Sequence, residues 1–252
     1  MIKSALLCLV SSGCLATANA ETTRNFSVGE AYSINSNELL YRETHCQSDD
    51  KLKRDVLYQS PDGESIAHKS IDYGNGFSTP SFKQTNFQTR EETEVKVENN
   101  IVTLSFTNAN RELTKKTIEK NAFSDLPMVI DAGFDAYIRE NWDSLVSGEQ
   151  QQFQFPLVTR SALIELQVSA SNCSFESKNS QCFKLEMSNW FYRMLASPIE
   201  LGYEPSQKRL IRYRGLSNIE GETGTGLDVD IRYYYDDMPL QACQSEGTAS
   251  HG

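Results

Sequence analysis

The stretch from Thr93 to Phe106 reads as a strand pair folded back on itself. Asn99-Asn100 tolerates the positive φ of a tight two-residue turn. Folding about it sets Val97 opposite Val102, Val95 opposite Leu104 and Thr93 opposite Phe106. The alternate apolar residues of both arms then share one face, the pattern of an antiparallel hairpin with one side buried. A second hairpin is signalled by Ser60-Pro61-Asp62-Gly63-Glu64, between Val56-Leu57-Tyr58 and the run from Ile66 to Tyr73. There Pro presets the first turn residue and Gly takes the left-handed one. Further strands read at Glu38 to His45, Asn110 to Lys120, Ser161 to Ser171 and Gln181 to Met187. This punctuation predicts a mainly β chain built as an antiparallel meander.

One segment breaks the rhythm. Between Pro127 and Gly148, Ile130, Phe134, Tyr137, Ile138, Trp142 and Leu145 recur at three- and four-residue steps, which predicts one long amphipathic helix. Pro127 suits its first turn and Gly148 its C-terminal cap. Asp131, Asp135, Arg139 and Asp143 follow at four-residue steps and read as a solvated face with an acid-to-arginine pair. Gly133 costs a helix interior about 1 kcal/mol against Ala, so it predicts close packing against the sheet. The expected architecture is a curved antiparallel sheet, a half-barrel or open barrel, with this helix on its concave side.

The first twenty residues combine Lys3, an apolar core from Ala5 to Val10 and the small-residue end Ala18-Asn19-Ala20, which predicts a signal peptide cleaved after Ala20. A rival reading, lipidation at Cys14, lacks the bulky aliphatic residue that such a box wants where Ser11 stands. Residues 21 to 252 are then expected to form a single β-rich domain with a flexible tail from about 244, in the periplasm of a Gram-negative bacterium. That compartment is oxidising, so the four remaining cysteines become disulfide candidates. Cys173 and Cys182 flank a turn-like segment and are expected to pair, leaving Cys46 with Cys243. Zinc is the competing reading, but the chain has no Cys-x-x-Cys and no paired histidine spacing.

The C-terminal third contains PIELGYEPSQKRLIRYRGLSNIEGETGTGLDVDIRYYYDD, Pro198 to Asp237. With the helix LPMVIDAGFDAYIRENWDSLVSGE and the run Phe153 to Leu157, it resembles a family of uncharacterised secreted proteobacterial proteins. More remotely it is similar to the lipoprotein-carrier type of β half-barrel. The resemblance spans about Leu126 to Tyr235; it implies fold and compartment, with lipid or lipoprotein handling as the activity of the remote relatives only. Read from its residues, the stretch is a hairpin with a glycine-rich connection from Gly215 to Gly226. If Arg214 faces Asp228, Arg212 faces Asp230, and both ion pairs lie on one face, opposite Ile211, Tyr213, Val229, Ile231 and Tyr233. The alternative is a site for an anionic ligand, built from Arg212 and Arg214 and from Asn218 in the loop.

Chemistry is sparse. The histidines are His45, His68 and His251, and no nucleophile elbow or phosphate loop is present. With 34 acidic against 24 basic residues the chain is a poor partner for nucleic acid, and no stretch is apolar for long enough to span a membrane. No cofactor or metal is expected. The leading expectation is a non-enzymatic binding protein that holds a lipid or other amphipathic ligand between sheet and helix, with Phe134, Tyr137, Ile138 and Trp142 as lining residues. Plain core is the competing reading of the same four side chains. An envelope scaffold that binds a protein, and a hydrolase with an unrecognised site, are the alternatives.

Overall fold

A computed structural model of the chain describes residues 23–120, 125–175, 179–193, 197–221, 224–235 and 243. The expected signal peptide, Cys14 and the tail from 244 lie outside the described residues. The first run of strands is β1 (Thr23–Ser33), β2 (Leu39–Ser48), β3 (Lys53–Gln59), β4 (Ser65–Asp72), β5 (Ser81–Asn86), β6 (Glu92–Glu98), β7 (Ile101–Thr107) and β8 (Leu113–Glu119). Two short helices follow, α1 (Gly133–Glu140) and α2 (Trp142–Val146). The second run is β9 (Gln151–Leu157), β10 (Ala162–Ser171), β11 (Gln181–Met187), β12 (Ile199–Glu204), β13 (Arg209–Glu220) and β14 (Gly226–Tyr234), with α3 (Trp190–Arg193) between β11 and β12.

All fourteen strands form one antiparallel sheet. Its order runs β8 to β1, then β14 to β9, so the first and last strands pair in the middle and the end strands are β8 and β9. The predicted hairpin at Asn99-Asn100 has the register read from the sequence, with Val97 opposite Val102, Val95 opposite Leu104 and Thr93 opposite Phe106. In the second hairpin Gly63 takes φ +88° and donates its N–H to the Ser60 carbonyl.

The sheet is curved, not closed, and its ends overlap. A single 3-10 turn at Val158–Arg160, between β9 and β10, lies against β6 and β7. Lys116 on β8 donates to the Ser161 carbonyl at 2.9 Å. Neighbouring residues of β10 pack into different cores: Leu163 joins the cluster of Val56, Phe82, Val95 and Leu104, while Ile164 joins that of Trp142, Phe153 and Phe183. Both faces of the β9–β10 end are therefore covered. The stretch ahead of α1 divides the interior likewise, with Met128 and Ile130 in the first core and Val129 in the second.

The predicted long helix is corrected. Residues 127–129 are extended and hydrogen-bond to β9, with Gln154 N–H donating to the Pro127 carbonyl and Val129 N–H to the Gln154 carbonyl. Asp131 turns the chain with φ +45°, and α1 begins only at Gly133. Asn141 separates α1 from α2, its side-chain amide donating to the Tyr137 carbonyl at 2.8 Å. Gly148 does end the helical stretch, with φ +100°. Asp135 and Arg139 form the expected i,i+4 pair at 3.0 Å, but Asp131 is off the helix and faces elsewhere.

Candidate functional site

The first candidate is the interior of the curve. Register places Glu43 of β2 beside Tyr58 of β3 and Gly29 of β1, and Lys69 of β4 beside Val56 and Gln84. Glu43 is buried, with His45 Nε2 3.3 Å from its carboxylate. Burial pushes its pKa up, but His45, the Tyr233 hydroxyl and the charge of Lys69 outweigh that and hold it below the ordinary carboxylate value. A side chain on Gly29 would collide with the Glu43 carboxyl, so the position must stay small. Burial raises Tyr41, Tyr58 and Tyr233 well above the usual phenol range, which keeps them protonated donors.

The far end of β13 completes this belt. The ladder with β14 shifts between Leu216 and Glu220, and the bulged residues fold inward. Ser217 Oγ meets Tyr41 Oη at 2.7 Å, and Asn218 Nδ2 donates to Gln84 Oε1 at 3.1 Å and Tyr58 Oη at 3.3 Å. Ser217 and Asn218 together therefore tie three strands of the other half of the sheet, β2, β3 and β5. The glycine-rich loop expected from Gly215 to Gly226 is largely strand, and the described turn is shorter, with Gly221 N–H donating to the Thr225 carbonyl.

Arg212 and Arg214 lie on the opposite, convex face. The expected register is corrected by two residues, because the bulge was invisible in sequence: Arg214 stands opposite Asp230, and Arg212 opposite Arg232. Arg212 still reaches Asp230 diagonally, its Nε 2.6 Å from Oδ1 in a two-pronged pair, and stacks over Phe175 at 4.4 Å. Arg214 donates to Ser174 Oγ at 3.1 Å. The structure does not bring the two arginines and Asn218 together. The two disulfides join Cys46 to Cys243 and Cys173 to Cys182, as expected. They fit an extracytoplasmic compartment.

The helix-side candidates gather in one aromatic cluster. Trp142 packs edge-on against Phe183 at 5.2 Å and Tyr203 at 5.6 Å, and Tyr137 against Phe153 at 5.0 Å. Ile138 is fully buried among them, and Phe134, half-buried, leans on Tyr213 at 6.3 Å. These side chains fill the space between helix and sheet.

The second candidate is the overlap itself. A groove of about 380 Å³ runs between β8 and the outer face of β9–β10, lined by Lys116, Gln154, Ala162, Leu163, Ile164 and Glu165. Gln154 is only 3% exposed and its side-chain carbonyl has no hydrogen-bond partner. No sequence pattern marks this place, because Lys116 and the β9–β10 wall, which begins at Gln154, are 38 or more positions apart and meet only through the curl.

No family model and no curated protein matches the chain. Among solved structures it is similar to the crystal structure of a beta-barrel-like protein of a domain of unknown function from Brucella abortus. That likeness covers 85% of this chain and 97% of that one, at 5% identity and a TM-score of 0.48. Among the described residues no His, Cys, Asp or Glu cluster is placed to hold a metal, and no helix is long and apolar enough to cross a membrane.

Proposed function

We propose that the protein is a non-enzymatic binding protein of the periplasm, released by cleavage after Ala20, which takes an amphipathic ligand in the overlap groove. The observation that carries this reading is the buried, unpartnered Gln154 carbonyl in a groove walled by Ala162, Leu163 and Ile164 and flanked by the Lys116 ammonium. A buried acceptor without a donor costs about 1–3 kcal/mol, a cost that a ligand hydroxyl or amide removes. The apolar wall suits a short acyl chain, and Lys116 suits an anionic head. In this reading Phe134, Tyr137, Ile138 and Trp142 keep the second wall rigid, and Arg212, Arg214 and Asn218 hold the frame.

A fluorescent fatty-acid probe tests it. The parent protein should bind the probe, and Leu163→Arg and Lys116→Glu should each weaken binding at least tenfold while leaving the fold intact by circular dichroism. A parent protein that holds no probe, or variants that bind as well as the parent, would refute the assignment.

The end strand β8, which carries Lys115 and Lys116, favours a second reading, an envelope scaffold that adds an extended segment of a partner to the sheet. Native mass spectrometry of protein purified from its own periplasm separates the two. A co-purifying lipid mass supports the first, and a stoichiometric protein partner the second.

A further inference from the structure

Trp190 is 70% exposed and Phe191 52% exposed, side by side on α3, with their rings 6.1 Å apart. The structure spends several polar contacts on holding them there. Arg193, at the end of the same short helix, donates to the carbonyls of Met187 and Ser188 at 3.1 and 2.9 Å and pairs with Glu186 at 3.2 Å. The Asn189 side chain accepts the Phe191 N–H at 2.9 Å, and Ser188 N–H and Oγ both donate to the Glu165 carbonyl. A rigid mount under two apolar rings is not what solvent exposure alone selects.

The charge around the tip fits one kind of surface. The chain carries a net charge of −10, yet residues 187–199 contain no carboxylate, and Arg193 is their one charged residue. Glu186, just before them, is buried and neutralised by Lys184 at 3.1 Å and by Arg193. Leu216, 58% exposed, lies at the same end of the sheet, where Gly215 approaches Ile199. The exposed Glu165 carboxylate stands on the groove side of the tip, 3.5 Å from Ser188 Oγ, while the rings themselves, with Arg193 beside them, suit the headgroup zone of a lipid bilayer, where aromatic rings and arginine settle.

We infer that the Trp190–Phe191 tip is a membrane-docking element that seats in the interfacial layer of a bilayer. The inference goes beyond the groove: the tip adjoins its Glu165 wall but does not depend on what the groove holds.

The chain has only two tryptophans, and the other, Trp142, is buried, so a change in intrinsic fluorescence on adding lipid reports on Trp190. With phosphatidylcholine vesicles in large molar excess, the emission of the full chain should shift to the blue, acrylamide quenching should fall, and protein should float with the vesicles. The double variant Trp190→Ser, Phe191→Ser should lose flotation while keeping its circular dichroism and the Trp142 emission. Leu163→Arg should float like the parent, so failure of the groove reading leaves this result untouched. No shift and no flotation of the parent overturns the inference, as does flotation of the double variant. A blue shift that grows with protein concentration without lipid also overturns it, because the tip would then be a contact between copies.

Discussion

The ammonium of Lys69 on β4 lies 2.6 Å from the carboxylate of Asp131, inside the curve of the sheet and just ahead of α1. Lys69 is 3% exposed and also sits 4.9 Å over the Phe82 ring, so Asp131 is the anion that makes its burial tolerable. Asp131→Asn tolerates the positive φ but strands that charge, and it should destabilise the protein by about 3–5 kcal/mol in urea unfolding. Adding Lys69→Met should recover most of the loss, since an apolar side chain suits the Phe82 neighbourhood. A double variant no more stable than Asp131→Asn would show that the pair is not what matters.

Gly133 should resist the usual improvement. Replacing a helical glycine by alanine commonly gains up to about 1 kcal/mol. Here a Cβ would stand 2.3 Å from the Ser78 carbonyl oxygen, a backbone atom that cannot step aside cheaply. Gly133→Ala should therefore lower stability by roughly 1–3 kcal/mol. A raised melting temperature would contradict the tight seat of α1 on the β4–β5 connection.

Truncating the helix anchor should be far worse than altering its exposed side. Trp142→Ala removes the ring shared by Phe183 and Tyr203 and should cost about 3–5 kcal/mol. Asp143→Ala, at a side chain 99% exposed, should change stability by about 0.5 kcal/mol or less. Equal, small effects would mean that α2 is peripheral.

Acid should act through Glu43. Its pKa is lower in the folded protein than in the unfolded chain, so its contribution to stability is fully present above the unfolded value, about 4.3, and is lost as pH falls through the folded one. The groups facing it are His45, Tyr233 and Lys69. Glu43→Gln should be less stable than the parent near neutral pH, and the gap should narrow below roughly pH 4. A gap that stays constant with pH would remove Glu43 from the acid response.

Local geometry was legible in the sequence wherever a turn fixed a register. Asn99-Asn100 and Pro61-Asp62-Gly63 set their strands because two to four residues decide the pairing, and Gln181 to Met187 had the bounds of β11. The arginine register failed for the opposite reason: the extra residues between Leu216 and Glu220 have no turn signature of their own, and they shift every partner beyond them. The helix was overdrawn because Ile130 and Asp131 continue a three- and four-residue spacing that the β9 pairing overrides. Neither Glu43 with His45 and Tyr233, Lys69 with Asp131, nor the overlap groove could be read, since each is assembled from residues that only the curl brings together.

Because the sheet is ordered β8 to β1 and then β14 to β9, nearly every strand pairs with its sequence neighbour. Among the described strands the one distant pairing is β1 with β14. Seen kinetically, the molecule is two ladders of hairpins with low contact order, joined by a single step of very high contact order. During synthesis the first strand must wait, one edge unpaired, until the last has been made. The Cys46–Cys243 bond spans 197 positions and ties the chain just past β14 to β2, across that same junction. Oxidation there makes the slowest encounter of the fold the hardest one to undo.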